Sequence, residues 1–175
     1  MASLTASTLA EKRDRAFILL LLSTGARISE ILRLDRSDWG REHLLLRGKG
    51  DRERTAMVTD RARGAVDLYL AARQDPSPAL FIGLRPGAVE LAHNRLTPAG
   101  ARHLCHQLAL GLGIPAFHPH QLRHTLGTLL QEELGDARLT ADTLGHVGLA
   151  SVAGYTKISE RRRREALEIL TKDGL

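Results

Sequence analysis

The sequence predicts a mainly α-helical single domain with one small antiparallel β-sheet, an α+β fold, and three observations lead to it. Apolar residues recur chiefly at helical spacing, as in Ala62, Ala65, Val66, Tyr69 and Leu70. One stretch alone reads as paired strands, His43 to Arg47 and Arg54 to Thr59, on either side of a Gly48-Lys49-Gly50-Asp51 turn. At 175 residues the chain suffices for one core and is short for two, and it holds no internal repeat or low-complexity linker.

The elements follow in order. Thr8 and Glu11 have capping-box spacing and open a helix that runs to about Ser23. Thr24-Gly25 breaks it, and a second helix is expected from about Arg27 to Arg33. After the hairpin, Asp60 can cap a third helix. Gln74 to Pro78 reads as loop, followed by the short apolar run Leu80-Phe81-Ile82. Thr97-Pro98 places an N-cap before a first-turn proline and starts a helix to about Leu112, which Gly113-Ile114-Pro115 ends. The last third is expected to be helical over His120 to about Glu133, Leu139 to Leu144, a short turn before Tyr155, and Ser159 to Leu170.

Charge points to a class of partner. Lys plus Arg number 25 against 20 Asp plus Glu, and only Lys12, Lys49, Lys157 and Lys172 are lysines, so the positive charge is mostly arginine. The planar guanidinium fork suits phosphate, which makes nucleic acid a plausible partner. A codon bias toward arginine would give the same excess. Cys105 is the single cysteine, which excludes an internal disulfide and a multi-thiolate zinc site, and its helical setting suggests a small buried side chain. The longest apolar run, Ala16 to Leu22, is too short to span a bilayer. With no signal-peptide pattern before it, the expected location is the cytoplasm.

Four segments could carry chemistry, and each has a plainer alternative. In Thr24-Gly25-Ala26-Arg27-Ile28-Ser29-Glu30, a glycine-broken turn before a helix would leave backbone N–H groups for an anion, with Arg27 adding a guanidinium. Glu30, one turn on, could orient Arg27; the alternative is an exposed Arg–Glu pair. Lys49, between Gly48 and Gly50 at the hairpin tip, could touch a phosphate or protonate a leaving oxygen, or be a solvated loop lysine. His120 and Arg123 are helical neighbours in His118-Pro119-His120-Gln121-Leu122-Arg123-His124, and together could hold a phosphate gaining charge. Zinc is disfavoured there, because Arg123 would repel a cation and no carboxylate or cysteine lies at ligand spacing. Last, Leu144-Gly145-His146 precedes Tyr155, in the polar stretch Ala153-Gly154-Tyr155-Thr156-Lys157; such a tyrosine alone could be surface packing.

Together these segments resemble the phage-integrase-type tyrosine recombinases, including the Xer-like bacterial members. The family pattern is an arginine in a T-G-x-R-[IV]-S-E-L context, a hairpin lysine, H-x-x-R, L-G-H, and a tyrosine nine residues on. Here it is met by Thr24 to Ile31, Gly48-Lys49-Gly50, His120-Gln121-Leu122-Arg123, Leu144-Gly145-His146 and Tyr155, with 23 residues from Arg123 to His146. The match spans about Thr8 to Lys157.

The resemblance implies the fold of the recombinase catalytic domain and a set of roles. Arg27, Arg123 and His146 would bind the non-bridging oxygens of a scissile phosphate. Tyr155 would attack phosphorus, leaving a 3′-phosphotyrosine and a free 5′-hydroxyl. His120 would help deprotonate the tyrosine or organise the phosphate, Lys49 would protonate the departing oxygen, and Glu30 and His124 would support the site. Elementary chemistry agrees, since a phenol of ordinary pKa about 10 needs nearby positive charge or a base to attack at neutral pH. Two guanidiniums and an imidazole can stabilise phosphoryl transfer in place of a metal. The expectation is therefore no cofactor and no metal, with double-stranded DNA as partner, no membrane, and a tetramer on two DNA sites.

Family members normally carry a further N-terminal helical domain, whereas here the pattern starts almost at Met1, so residues 1–175 are expected to be the catalytic domain alone, either as a fragment or as a minimal form. In the family a helix beyond the tyrosine docks on a neighbouring protomer, and residues 159–175 are the expected counterpart, with packing on the chain's own domain as the alternative. A topoisomerase-like relaxase of type IB shares the chemistry, and a non-catalytic DNA-binding module could share the fold. The Xer-like spacings favour a recombinase, and every chemical position is filled.

Overall fold

A computed structural model describes residues 8–40, 43–48, 53–84 and 94–111. They form α1 (Leu9–Thr24), α2 (Ile28–Leu32), a single 3-10 turn (Arg36–Asp38), β1 (His43–Arg47), β2 (Glu53–Met57), α3 (Asp60–Ala71) and α4 (Pro98–Gly111). The architecture is mainly helical with one two-stranded antiparallel sheet, as the sequence predicts. The helices expected after Leu112 lie outside the described residues.

Helix α1 is the centre of the core. Thr8 caps it, its hydroxyl accepting from the Glu11 N–H at 3.2 Å while the Glu11 carboxylate takes the Thr8 N–H at 2.9 Å. Residues Ala16 to Leu21 are buried without interruption, so this stretch is covered on every side, as a run apolar all round requires. Its principal partner is α3. Phe17 meets Phe81 edge-on at 5.2 Å between centroids, and Tyr69 of α3 stacks on Phe81 at 5.6 Å. Fully burying each of these rings contributes about 1.5–3 kcal/mol. The Tyr69 hydroxyl still has a partner, accepting from the Ile82 N–H at 3.2 Å.

Thr59, not Asp60, caps α3. Its backbone is extended and its hydroxyl accepts from the Ala62 N–H at 3.3 Å, whereas Asp60 already lies in the first turn. There its carboxylate favours the positive end of the helix dipole. The expected α3 face is buried at Ala62, Ala65, Val66 and Tyr69, with Leu70 partly buried. Thr97 caps α4 as expected, accepting from the Gly100 N–H at 3.1 Å. Cys105 on that helix is completely buried, and burial beside the Asp14 charge pushes its thiol up to about 11. It is a packing residue, as its setting suggests. Among the described residues, no helix is long and apolar enough to cross a membrane.

The segment from Arg73 to Ile82 is irregular, and it turns alternate residues inward, Arg73, Asp75, Ser77 and Ala79 being buried while Gln74, Pro76 and Pro78 are exposed. The Arg73 side chain is 0% exposed and grips both Asp75 oxygens at 2.6 and 2.8 Å. The same guanidinium donates to the carbonyls of Ser77, Ala79 and Leu80. A buried ion pair survives only with its remaining donors satisfied, and the backbone turns around Arg73 to satisfy them. Two further bonds, Arg36 N–H to Pro78 O at 2.7 Å and Leu80 N–H to Leu34 O at 2.8 Å, stitch this segment to the chain after α2.

Removing one partner of this pair leaves a buried charge uncompensated. Asp75→Ala should therefore lower unfolding stability by about 3–5 kcal/mol, read from urea melts. Hydrogen bonding from Arg73 holds the Asp75 carboxyl below its ordinary value, so its stabilisation is complete above that value and is lost as pH falls through the folded one. Asp75→Asn should correspondingly flatten the loss of stability below about pH 4.

Candidate active site

The site is built where α1 ends. Gly25 closes the helix in the left-handed region at φ 57, and its N–H bonds the Leu21 carbonyl at 2.9 Å. Only glycine takes this conformation without strain. The Thr24 hydroxyl donates to the Leu20 carbonyl at 2.7 Å and accepts from the Ala26 N–H at 3.3 Å, so the turn is pinned from inside. Arg27 follows in extended conformation as the N-cap of α2.

Glu30 then folds back on Arg27. One carboxylate oxygen, Oε2, accepts from the Arg27 backbone N–H at 3.0 Å, and Oε1 accepts from Arg27 Nη1 at 3.0 Å. A second arginine completes the group, with Arg54 Nη2 3.0 Å from Oε2. The Glu30 side chain is 2% exposed, that of Arg54 19% and that of Arg27 49%. Burial alone would push the Glu30 carboxyl up. The Arg27 N–H and the Arg54 and Arg27 guanidiniums together outweigh it and hold the group below its ordinary value.

Two expectations change. The backbone N–H groups of Gly25, Ala26 and Arg27 are all taken by internal acceptors, so these three do not wait for an anion. What the turn offers is the Arg27 guanidinium. Nor is Arg27–Glu30 an exposed surface pair: the carboxylate is buried and shared, and only the Arg27 side chain opens to solvent. Arg54 escaped the reading of the sequence, because its one signal is strand alternation, which puts it on the same side of β2 as buried Ala56.

The hairpin brings Arg54 into place. Its register runs from His43 opposite Met57 to Arg47 opposite Glu53, with Leu46 facing Arg54. The Ser23 hydroxyl fastens the sheet to the end of α1, accepting from the Thr59 N–H at 2.8 Å and donating to the Met57 carbonyl at 3.4 Å. On the far side of α2, Arg95 donates to the carbonyls of Leu32 and Leu34 at 2.7 and 2.8 Å and pairs with Asp35. A helix of five residues, marginal alone, is thus held at both ends. Of the expected site residues, Arg27 and Glu30 are brought together. Lys49, His120, Arg123, His124, His146 and Tyr155 lie outside the described residues.

Comparison with known proteins decides the family. The model of the phage integrase family matches residues 2–162. The chain belongs to the phage integrase family. It is 34% identical over 170 residues to tyrosine recombinase XerC of Bacillus licheniformis, covering 91% of this chain and 54% of that protein. Against tyrosine recombinase XerA of Pyrococcus horikoshii the identity is 31% over 159 residues, covering 89% and 54%. Among solved structures, the XerH site-specific recombinase bound to a palindromic difH substrate, a post-cleavage complex, matches with a TM-score of 0.69 at 26% identity, over 95% of this chain and 48% of that one. XerA recombinase shares the fold at a TM-score of 0.68. The chain thus has the fold of the family's recombinase catalytic domains, and it spans about half the length of the relatives it matches.

The Glu30 cluster has a measurable acid limb. A carboxyl held low in the folded protein stabilises it fully above the unfolded value and ceases to do so as pH falls through the folded value. Glu30→Gln should be less stable than the parent near neutral pH, and the gap should narrow as the solution is acidified. Urea midpoints measured across that range check it.

Proposed function

We propose that this chain is the catalytic domain of a site-specific DNA recombinase or integrase, acting through a 3′-phosphotyrosine intermediate. The observation that carries the reading is the family match over residues 2–162, which runs through every motif segment up to and including Tyr155. Arg27, half open to solvent on a buried carboxylate, is the form such a group takes when its geometry is fixed before a phosphate arrives.

The roles are as follows. Arg27, Arg123 and His146 bind the non-bridging oxygens of the scissile phosphate and stabilise the charge that develops there. The Tyr155 oxygen forms a bond to phosphorus, its proton passing toward His120, while the bond from phosphorus to the 5′ oxygen breaks. Lys49 gives that oxygen a proton. Glu30 and His124 hold the neighbouring groups. One phosphodiester is exchanged for another, so attack by a 5′-hydroxyl restores DNA without an energy source. None of these steps requires a cofactor or a metal.

Double-stranded DNA is the substrate, and four protomers on two sites carry out exchange. Residues 159–175 form the tail that docks on the neighbouring protomer. The cytoplasm is the proposed location, supported by the short apolar run from Ala16 to Leu22 with no signal-peptide pattern before it. Among the similar solved structures, XerH is bound to its difH substrate, the class of ligand proposed here.

Tyr155→Phe should bind duplex DNA like the parent and form no covalent adduct on nicked suicide substrates, read on a denaturing gel with peptide mapping. An adduct on another residue would overturn the assignment. Lys49→Ala should slow cleavage of ordinary DNA and recover when the 5′ leaving oxygen is replaced by sulfur, which departs without a proton. Equal slowing on both substrates would remove Lys49 from the general-acid role.

A further inference from the structure

Arg54 stands on the inward side of its strand. Leu46 opposite is fully buried, and Arg54 shares its side of β2 with buried Ala56, while its neighbours Glu53 and Thr55 are exposed. An arginine so placed gives up hydration, and its Nε has no hydrogen-bond partner among the described residues. The compensating contact is Glu30, at 3.0 Å from Nη2. This is an expensive way to bind a carboxylate that Arg27 already holds through its backbone N–H and Nη1.

The charge balance explains the second arginine. With Arg27 alone, the carboxylate would cancel the positive charge that a phosphate needs to find, and the phosphate would compete with an anion already in place. With Arg54 on Oε2, one negative charge is shared between two positive ones. The surplus emerges at Arg27, whose side chain is 49% exposed, and not at Arg54, which is 19% exposed.

We propose that Arg54 is a positioning residue for the proposed strand transfer: by neutralising the buried Glu30 carboxylate, it leaves Arg27 oriented yet still positively charged toward a DNA phosphate. The inference rests on the recombinase reading for its substrate, and on the Arg27–Glu30–Arg54 geometry for the rest.

The test compares the full chain with R54Q, R54K, R27A, and R54Q combined with E30Q. Two readouts are taken: adduct formation on a pool of nicked duplexes with randomised centres, and anisotropy of a labelled duplex at graded salt. R54Q should slow adduct formation by roughly ten- to a hundredfold, the scale expected of a partner that tunes a group touching the reacting atoms. It should also weaken duplex binding in the direction of R27A. R54K, which keeps the charge, should retain most of both. Adding E30Q to R54Q should recover part of the loss, because the unneutralised carboxylate is gone while the glutamine amide still accepts from the Arg27 N–H. A purely structural role predicts the opposite, a double variant no better than R54Q. Parent-like behaviour of R54Q, or absence of recovery in the double variant, would overturn the proposal. Absence of adducts from the parent would overturn the recombinase reading instead, and duplex binding would then decide the role of Arg54.

Discussion

A carboxylate taken out of water must be surrounded by donors, and in this domain that requirement falls on Glu30. Three hydrogen bonds from two arginines answer it, one from a backbone N–H and two from guanidiniums. The partners come from different parts of the chain, so meeting the requirement also fixes geometry. The turn after α1, the start of α2 and the inner side of β2 take their relative positions from one group. Ser23 repeats the tie a short distance away, between the end of α1 and the junction of β2 with α3. The half-exposed Arg27 therefore stands on a frame whose parts are mutually constrained, as a group awaiting a phosphate must.

The frame itself rests on the core. Helix α1 is buried around the stretch from Ala16 to Leu21, and α3 and the segment containing Phe81 close over it. With the body of α1 fixed by packing, its last turn delivers Thr24 and Gly25 to a defined place. The left-handed glycine then reverses the chain so that Arg27 faces outward while Glu30 faces in. Hydrophobic burial sets where the site lies, and hydrogen bonding sets which way its charges point.

Local features were legible from the residues alone. Thr8 with Glu11 and Thr97 with Pro98 act within a single turn, so their spacing is the whole of the physics. Arg27 and Glu30 are likewise near neighbours, and their pairing was foreseeable. Arg54 was not, because it reaches Glu30 across 24 residues through a hairpin register that no local pattern encodes. The Arg73–Asp75 pair was hidden for another reason. Gln74 to Pro78 reads as loop, which it is, but loop character does not reveal that Asp75 and Ser77 are buried around one guanidinium on which backbone carbonyls converge only once the chain has folded. The helix start at Thr59 was misplaced by one residue, since Thr59 and Asp60 are both good caps and only backbone conformation separates them.

The hairpin register also limits how this part of the chain can change length over evolution. Strand side chains alternate, so sliding β2 by one position against β1 would carry Arg54 to the outer surface and turn Thr55 inward. The buried acid would then face a hydroxyl in place of a cation. A residue gained or lost inside either strand would shift this parity, whereas the register pairs Arg47 with Glu53 at the end of the ladder. The spacing within β2 is therefore the ruler that keeps Arg54 beside Glu30.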